Sequence, residues 1–568
     1  MRYHALATDY DFTIAEHSVV SDQTIKALER VRGSGRSLIL VTGREVDDLL
    51  RVFPRIDLFD RVVAENGAVL YRPASREQRL LAEPPPPEFI RTVRAAGISP
   101  LCEGKVIVAT LRPNEIEIIG IIRDLGLELQ VIFNHTAVMV LPSGTNKASG
   151  LKAALGELGL SPHNCVGVGD AENDHAFLSF TGCSVGVNNA LDALKKHMDF
   201  VTKGDAGKGV EELINHLLDS DLRFLDTVVR HQIPLGTRRD GSEVSIGSYD
   251  KRVLIAGTSG AGKSTHANTF IEKLRELRYQ FCIIDPEGDY LNIDGAIILG
   301  DSERPPSVPE VMELLAKPSE NVVVNLLGIP LKERPTFFES LLHRVQELRG
   351  KTGRPHWLIV DETHHVLPSS WKVHGPTVPE GGLGVVMITV EPDKLPPAAL
   401  QFLDLVIAIG DNPDRTLEMF SDTAGQPRPT PTGVQLKTGE ALGWFWKTGE
   451  SPFEFRGFPP KGERQRHRRK YAEGELAPEL CFYFRGPDNK LNLRVQNLSV
   501  FLQIAEGVDE ETWLFHLKTG DLSKWFRNVI KDEELASEIR KFESRTAGAA
   551  ESRSHIRSEI EKRYMVAA

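Results

Sequence analysis

The octapeptide Gly257-Thr-Ser-Gly-Ala-Gly-Lys-Ser264 constrains this chain most. An apolar run, Arg252–Ala256, leads into it, and a helix-forming stretch starts at Lys263. A Gly-rich loop between a strand and a helix is the P-loop pattern, and it commits this part of the chain to an α/β sheet. Glycines let backbone N–H groups approach phosphate oxygens, and the helix N-terminus adds positive potential. The predicted ATP cradle is Gly257, Thr258, Ser259, Gly260, Ala261, Gly262, Lys263, Ser264 and Thr265. Lys263 is assigned to the β- and γ-phosphates and Ser264 to Mg²⁺. A partner strand, Leu358-Ile-Val-Asp-Glu362, supplies Asp361 for the metal and Glu362 to polarise the attacking water. Adjacent buried carboxylates at a strand end are costly, which disfavours a purely structural role.

The first 215 or so residues alternate short apolar strands with amphipathic helices. Strands are predicted at His4–Thr8, Ser37–Val41, Arg61–Ala64, Ala137–Leu141, Cys165–Gly169 and Cys183–Val187. Helices are predicted at Ser21–Arg32, Lys147–Leu158 and Glu172–Phe180. This alternation implies βαβ units around a mostly parallel sheet. Asp9-Tyr-Asp-Phe-Thr13 follows the first strand directly. Ligands of open α/β sheets bind at the carboxyl ends of the strands. Two aspartates two positions apart suit one nucleophile and one acid/base group around a metal.

Three further segments accompany it: Val41-Thr-Gly-Arg44, Lys147 after Ser143-Gly-Thr-Asn, and Gly167-Val-Gly-Asp-Ala-Glu-Asn-Asp174. With Asn66-Gly-Ala68 and an inserted segment at about 72–138, this set resembles the haloacid dehalogenase (HAD) phosphatases of the Cof-like branch, which carry an α/β cap. The resemblance implies Asp9 as nucleophile and Asp11 as acid/base. It implies Thr42, Gly43 and Lys147 as phosphate ligands, and Asp9, Asp11, Asp170 and Asp174 as the Mg²⁺ site. The substrate would be a small phosphorylated metabolite. Family members usually carry Gly where this chain has Phe12 and a small aliphatic residue where it has Tyr10, so Phe12 is expected to crowd the site.

A second alternating block follows, with strands predicted at Arg252–Ala256, Gln280–Ile284, Asn321–Asn325, Trp357–Val360, Val385–Thr389 and Leu405–Ile409. Together with Ile233-Pro-Leu-Gly236 and Ile284-Asp-Pro-Glu-Gly-Asp-Tyr290, the P-loop and its partner strand resemble the HerA-like (FtsK-HerA) ATPases. That resemblance implies a RecA-like sheet, a hexameric ring and action on DNA. Thr389-Val-Glu-Pro392 stands where such proteins carry a Thr-Gln-Arg-Pro-like sensor segment, and their N-terminal barrel is replaced here by the phosphatase-like unit. Both departures weaken a reading of DNA translocation.

A chain of 568 residues exceeds what one hydrophobic core supports. We expect an α/β multidomain protein: a HAD Rossmann-like parallel sheet with an α/β cap at 1–220, a P-loop ATPase at 221–460, a basic linker at 461–477 and a small α-rich domain at 478–568. In the linker, Arg464, Arg466, Arg468, Arg469 and Lys470 could meet a nucleic-acid backbone, but on a chain of net charge −11 a solvated linker is the simpler reading. The C-terminal stretch, with Phe482-Tyr-Phe-Arg-Gly-Pro487, Phe515-His516 and Trp525, resembles a small domain found beside bacterial ATPases and glycosyltransferases. Its aromatics read as core; His516 with Asp521 could form a site, but a satisfied, partly buried histidine is the simpler reading. Five scattered cysteines suggest neither disulfides nor a zinc site. The early charges at the N-terminus and the lack of an ~18-residue apolar run point to a cytoplasmic protein without a membrane span.

The favoured expectation is a bifunctional Mg²⁺-dependent phosphatase and ATP hydrolase. The alternative is an oligomeric DNA-acting motor or defence ATPase with a HAD regulatory domain. A third is a nucleotide switch with a degenerate phosphatase site.

Overall fold

The computed structural model describes residues 1–226, 231–258, 261–291, 293–369, 384–459, 476, 481–530, 532–544 and 548–565. The P-loop residues Ser259 and Gly260 and the basic run 461–470 lie outside the described residues.

Residues 1–458 form one compact unit and 459–568 another. The first unit contains two large sheets. The N-terminal sheet has eight strands in the order Phe200–Val201, Cys183–Gly186, Cys165–Gly169, Ala5–Thr8, Ser37–Val41, Arg61–Ala64, Val69–Arg72 and Glu77–Leu80. The first six pair in parallel and the last two antiparallel. Apolar side chains on both faces of the parallel strands, such as Leu38 and Leu40 on one and Ile39 and Val41 on the other, are fully buried under helices. The hairpin Val69–Leu80 thus extends the main sheet, although its second strand, Glu77–Leu80, lies inside the stretch expected as the insertion. A separate antiparallel sheet is drawn from Cys102–Glu103, Val108–Leu111, Leu129–Asn134 and Ala137–Pro142, with helices Pro87–Ala95 and Glu115–Asp124 over a core of Phe89, Val93, Ile118 and Val140. Ala137–Leu141, expected among the strands of the first block, belongs to this sheet. The tetraproline Pro84–Pro87 leads into a helix, with Pro87 at its first position, where a missing N–H costs nothing.

The second sheet has eleven strands. Its parallel part runs Leu405–Ile409, Arg252–Gly257, Gly384–Thr389, Trp357–Val360, Phe281–Asp285, Asn321–Asn325, Ala296–Leu299. Glu440–Trp444, Phe453–Gly457, Gln232–Arg238 and Glu243–Gly247 extend it antiparallel. The P-loop strand is central, flanked by the strands that end at Thr389 and Ile409.

A polar joint connects the two sheets. His356, immediately before strand Trp357–Val360, faces Asn164, immediately before strand Cys165–Gly169, with Nε2 3.1 Å from Asn164 Oδ1. Its Nδ1 accepts the N–H of Gln280 at 2.9 Å. The Asn164 amide donates to Arg2 O at 2.8 Å. The fully buried Arg354 donates to Gln280 Oε1, Leu315 O and Ala316 O on one side and to Gly159 O, at 2.5 Å, on the other. His163 stacks on Tyr279 with ring centroids 3.9 Å apart. At Gly353 (φ +72°) a Cβ would fall 2.4 Å from Asn164 Nδ2, so only glycine permits this approach.

The second unit packs a hairpin, Phe482–Phe484 with Leu493–Val495, against helices Leu498–Gly507, Glu510–Thr519, Asp521–Asn528, Glu533–Glu543 and Ala549–Ile560. Phe484, Phe501, Trp513 and Phe526 are its fully buried aromatics. His516 is buried and satisfied on both sides: Nε2 accepts the Arg485 N–H at 2.9 Å and Nδ1 meets Asp521 Oδ2 at 3.0 Å.

Candidate functional site

At the carboxyl end of the N-terminal sheet, three strand ends, after Thr8, Val41 and Gly169, and one helix start converge. Asp9 continues its strand by one residue, its N–H donating to Val168 O at 3.0 Å. Lys147 is the first residue of helix Lys147–Glu157. Asn146 caps that helix reciprocally with Ser149, which fixes where Lys147 emerges. Lys147 Nζ lies 2.5 Å from Asp9 Oδ1 and 2.5 Å from Asp174 Oδ1, and the lysine is 1% exposed. The other Asp174 oxygen accepts the N–H groups of Asp170 and Ala171 at 2.9 and 3.0 Å. That local bond tightens Glu172–Asp174 into a 3₁₀ turn, so the helix expected from Glu172 starts at His175. Thr13 Oγ1 donates to Asp170 Oδ1 at 2.9 Å.

One carboxylate oxygen from each of Asp9, Asp170 and Asp174 lies within 4.8 Å of the other two, and all three residues are buried. Burial pushes the Asp9 carboxyl well above its usual range, with Asp174 and Asp170 adding to the shift and Lys147 opposing it. Burial, then Asp174, raises Asp170 to about 6. Three hard oxygen donors in one buried cluster fit a divalent cation such as Mg²⁺. Asp11 lies outside this cluster. Its carboxylate is held bidentate by Arg44, with Nε at 2.7 Å and Nη2 at 2.6 Å. Arg44 also donates to Asp48 Oδ2 at 2.7 Å and Ser18 Oγ at 2.6 Å, and it lies over the Tyr10 ring.

A cleft of about 660 Å³ opens above these groups. Asp9, Asp11, Thr42, Gly43 and Arg44 line one wall, and Cys102, Ile107, Asn134 and Met139 from the inserted sheet line the other. Phe12 does not line the cleft. It is 49% exposed and sits edge-on to His135 at 5.6 Å, with a backbone φ of 57° that glycine would adopt more easily. Tyr10 is fully buried beneath the site and donates to Ser18 O at 3.0 Å.

Sequence reasoning missed two residues here. The Arg44 side chain was legible in Thr42-Gly-Arg44, but its pairing with Asp11 required the fold. Glu65, with a left-handed φ of 48°, accepts the N–H groups of Lys105, Val106 and Ile107 at 2.7–2.9 Å, tying the core to the insertion. Its only signal was a carboxylate beside Asn66-Gly67. Gly67 (φ +107°) passes so close to Asn146 that a Cβ would lie 1.9 Å from Asn146 O.

The second site lies at the end of the P-loop strand. Lys263 is buried and folds onto the loop, donating to Gly257 O at 2.9 Å and Thr258 O at 3.2 Å. Ser264 is exposed, and the N–H of Thr265 bonds Gly262 O at 3.1 Å. Asp361 is buried and accepts the Glu362 N–H at 2.8 Å, and burial raises its carboxyl to about 7. Burial also raises Glu362, whose φ is 34°. Asp285 is turned inward and accepts the N–H groups of Gly288, Asp289 and Tyr290.

Comparison with known proteins agrees with both halves. The family model described as haloacid dehalogenase-like hydrolase matches residues 6–93 and 105–214. The model described as Helicase HerA, central domain, matches residues 233–349. A phosphoglycolate phosphatase of Methanothermobacter thermautotrophicus is 30% identical over 225 residues, covering 38% of this chain and 98% of its own. One of Sulfolobus acidocaldarius is 26% identical over 230 residues, covering 38% and 97%. A solved haloacid dehalogenase-like hydrolase from Bacteroides thetaiotaomicron is 18% identical, with a TM-score of 0.33, over 38% of this chain and 99% of that one. With the acidic cluster at its strand ends, Lys147 at the adjoining helix start, and a P-loop ATPase region in the same chain, this chain is an enzyme that belongs to the haloacid dehalogenase-like hydrolases.

Proposed function

We propose that the chain is a bifunctional hydrolase, a Mg²⁺-dependent phosphomonoesterase in its first ~220 residues and an ATPase over about 221–460. The observation that carries the phosphatase half is Lys147, held at 2.5 Å from both Asp9 and Asp174 at the floor of the cleft. Asp9, Asp170 and Asp174 would hold Mg²⁺, which would supply charge neutralisation between the carboxylates and the phosphoryl oxygens. Asp9 attacks phosphorus, forming an aspartyl phosphate as the phosphorus–leaving-oxygen bond breaks. Asp11, once turned from its Arg44 pair and protonated, gives its proton to the leaving oxygen. It then takes a proton from water, whose oxygen attacks phosphorus, releasing inorganic phosphate and regenerating the Asp9 carboxylate. Lys147, Thr42 and Gly43 bind the phosphoryl oxygens. The relatives named phosphoglycolate phosphatase make a small phosphorylated metabolite of that kind the first substrate to try.

In the ATPase half, the loop Gly257–Thr265 and Lys263 bind the phosphates, Ser264 and Asp361 would hold Mg²⁺, and Glu362 orients the attacking water. We place the protein in the cytoplasm; no helix among the described residues is long and apolar enough to cross a membrane. The test uses the full chain with Mg²⁺ and a panel of phosphomonoesters. Phosphate release that persists in Asp9→Asn sinks the phosphatase reading, and ATP hydrolysis equal in Lys263→Ala and wild type sinks the other.

A second reading rests on the match to the central domain of helicase HerA: a ring of subunits acting on DNA. Light scattering with ATP, and hydrolysis with and without duplex DNA, test it. A monomer indifferent to DNA removes it.

A further inference from the structure

The ATPase reading leaves one side chain without a task. His364 sits on the short turn Thr363–His365 that follows Asp361 and Glu362. That turn is stitched in place. Thr363 Oγ1 donates to Val360 O at 2.8 Å and accepts the Ile388 N–H at 3.1 Å, which fastens the turn to the neighbouring strand Gly384–Thr389. His364 Nδ1 then lies 3.4 Å from Glu362 Oε2 and 3.4 Å from Thr389 Oγ1. The Thr389 hydroxyl donates to Glu391 O at 3.3 Å. Its proton is thereby committed, so toward the imidazole it acts as acceptor, and Nδ1 carries the shared hydrogen. Burial, with His365 and Lys394 as neighbouring charges, lowers His364 to about 4, which keeps the ring neutral with a single N–H.

Glu362 needs such a partner. Its backbone is left-handed at φ 34°, and its Oε2 is buried with no hydrogen-bond partner among the described residues. A carboxylate that must present one oxygen to water works only if the other is held. We propose that His364 is the positioning residue of the ATPase: its one Nδ1–H, poised 3.4 Å from both Thr389 Oγ1 and Glu362 Oε2, is shared between them in the working site and so orients the Glu362 carboxylate beside Thr389, the last residue of the strand beside the P-loop strand. The inference rests on the ATPase reading. Segment 390–391 offers Val390 and Glu391, neither of which can donate a side-chain hydrogen bond to a carboxylate at neutral pH. His364 therefore supplies the donor from the neighbouring strand end.

Steady-state ATP hydrolysis by the full chain tests this. His364→Ala should lower kcat roughly 10–100-fold while KM changes less than about twofold, because a misplaced base affects the chemical step and leaves nucleotide binding alone. His364→Asn, whose amide N–H falls near the position of Nδ1, should recover most of the loss. Thr389→Val should lower kcat in the same direction and add little on top of His364→Ala, since both remove one linkage. A kcat for His364→Ala within twofold of wild type, equal losses in the Ala and Asn variants, or a loss confined to KM overturns the proposal. If His364→Ala does not fold, Thr389→Val and His364→Asn decide alone. Wild-type hydrolysis no faster than Lys263→Ala would instead be a failure of the ATPase reading.

Discussion

The joint between the two sheets makes the sharpest prediction. Replacing His356 by Ala removes two contacts at once, leaving the Gln280 N–H and Asn164 Oδ1 without partners in a buried site. An unsatisfied buried polar group costs about 1–3 kcal/mol, so the pair costs about 2–6 kcal/mol before the cavity is counted. Adding Arg354→Leu strips the donor from Gly159 O, Leu315 O, Ala316 O and Gln280 Oε1. Scanning calorimetry of the full chain reads the outcome. In wild type the two sheets should unfold together, and ATP with Mg²⁺ should shift both, because a ligand that stabilises one half of a cooperative unit stabilises the whole. In the double variant the transition should split, and only the half containing the P-loop should respond to ATP. Peptide-resolved hydrogen exchange assigns the halves through strands Cys165–Gly169 and Trp357–Val360. A single transition with an unchanged midpoint would refute the idea that these contacts bind the sheets into one unit.

Four further outcomes are expected. Lys147→Met should destabilise the metal-free protein by about 3–5 kcal/mol in denaturant titration, since it leaves Asp9 and Asp174 buried without their cation, and phosphatase activity should vanish. Glu65→Ala orphans the N–H groups of Lys105, Val106 and Ile107. It should cost about 2–4 kcal/mol in thermal or denaturant unfolding, and limited proteolysis should cut the insertion faster. Burial depresses His4 and His266 to about 4, against about 6.5 in the unfolded chain. Both rings therefore leave stability intact above pH about 6.5 and drain it as pH falls toward 4, by up to about 3 kcal/mol each; urea titrations at stepped pH check the slope. With Asp170 raised to about 6, Mg²⁺ affinity measured by calorimetry should fall below that pH, as the carboxylate is lost to protonation.

The parts legible in the sequence were local. Strands ending at Thr8, Val41 and Gly169, the helix opened by Lys147, and the loop before Lys263 all follow from apolar runs abutting Gly, Asp or Asn. Asp9, Asp170, Asp174 and Lys147 could be grouped because parallel strands deliver their ends to one edge. What stayed hidden depended on partners far away in sequence. Nothing in Arg44 announces Asp11, 33 residues earlier, and nothing near His356 announces Asn164, 192 residues earlier. The place of hairpin Val69–Leu80 in the main sheet was equally unreadable, because an antiparallel edge strand and a strand of an insertion share the same alternation.

Gly353 and Asn164 carry a consequence for how such a chain evolves. Their contact is too close for any other residue at 353, and Arg354 spends its donors on carbonyls from both halves, Gly159 O on one side and Leu315 O and Ala316 O on the other. A phosphatase-like half cut from this chain would expose His4, Asn164 and the Gly159 carbonyl, while a P-loop half cut from it would expose Arg354 and His356. The two halves are therefore no longer interchangeable modules. Exchanging either for a homologue would bring a surface shaped for water against one shaped for a neighbour, so the fusion is inherited as a single part.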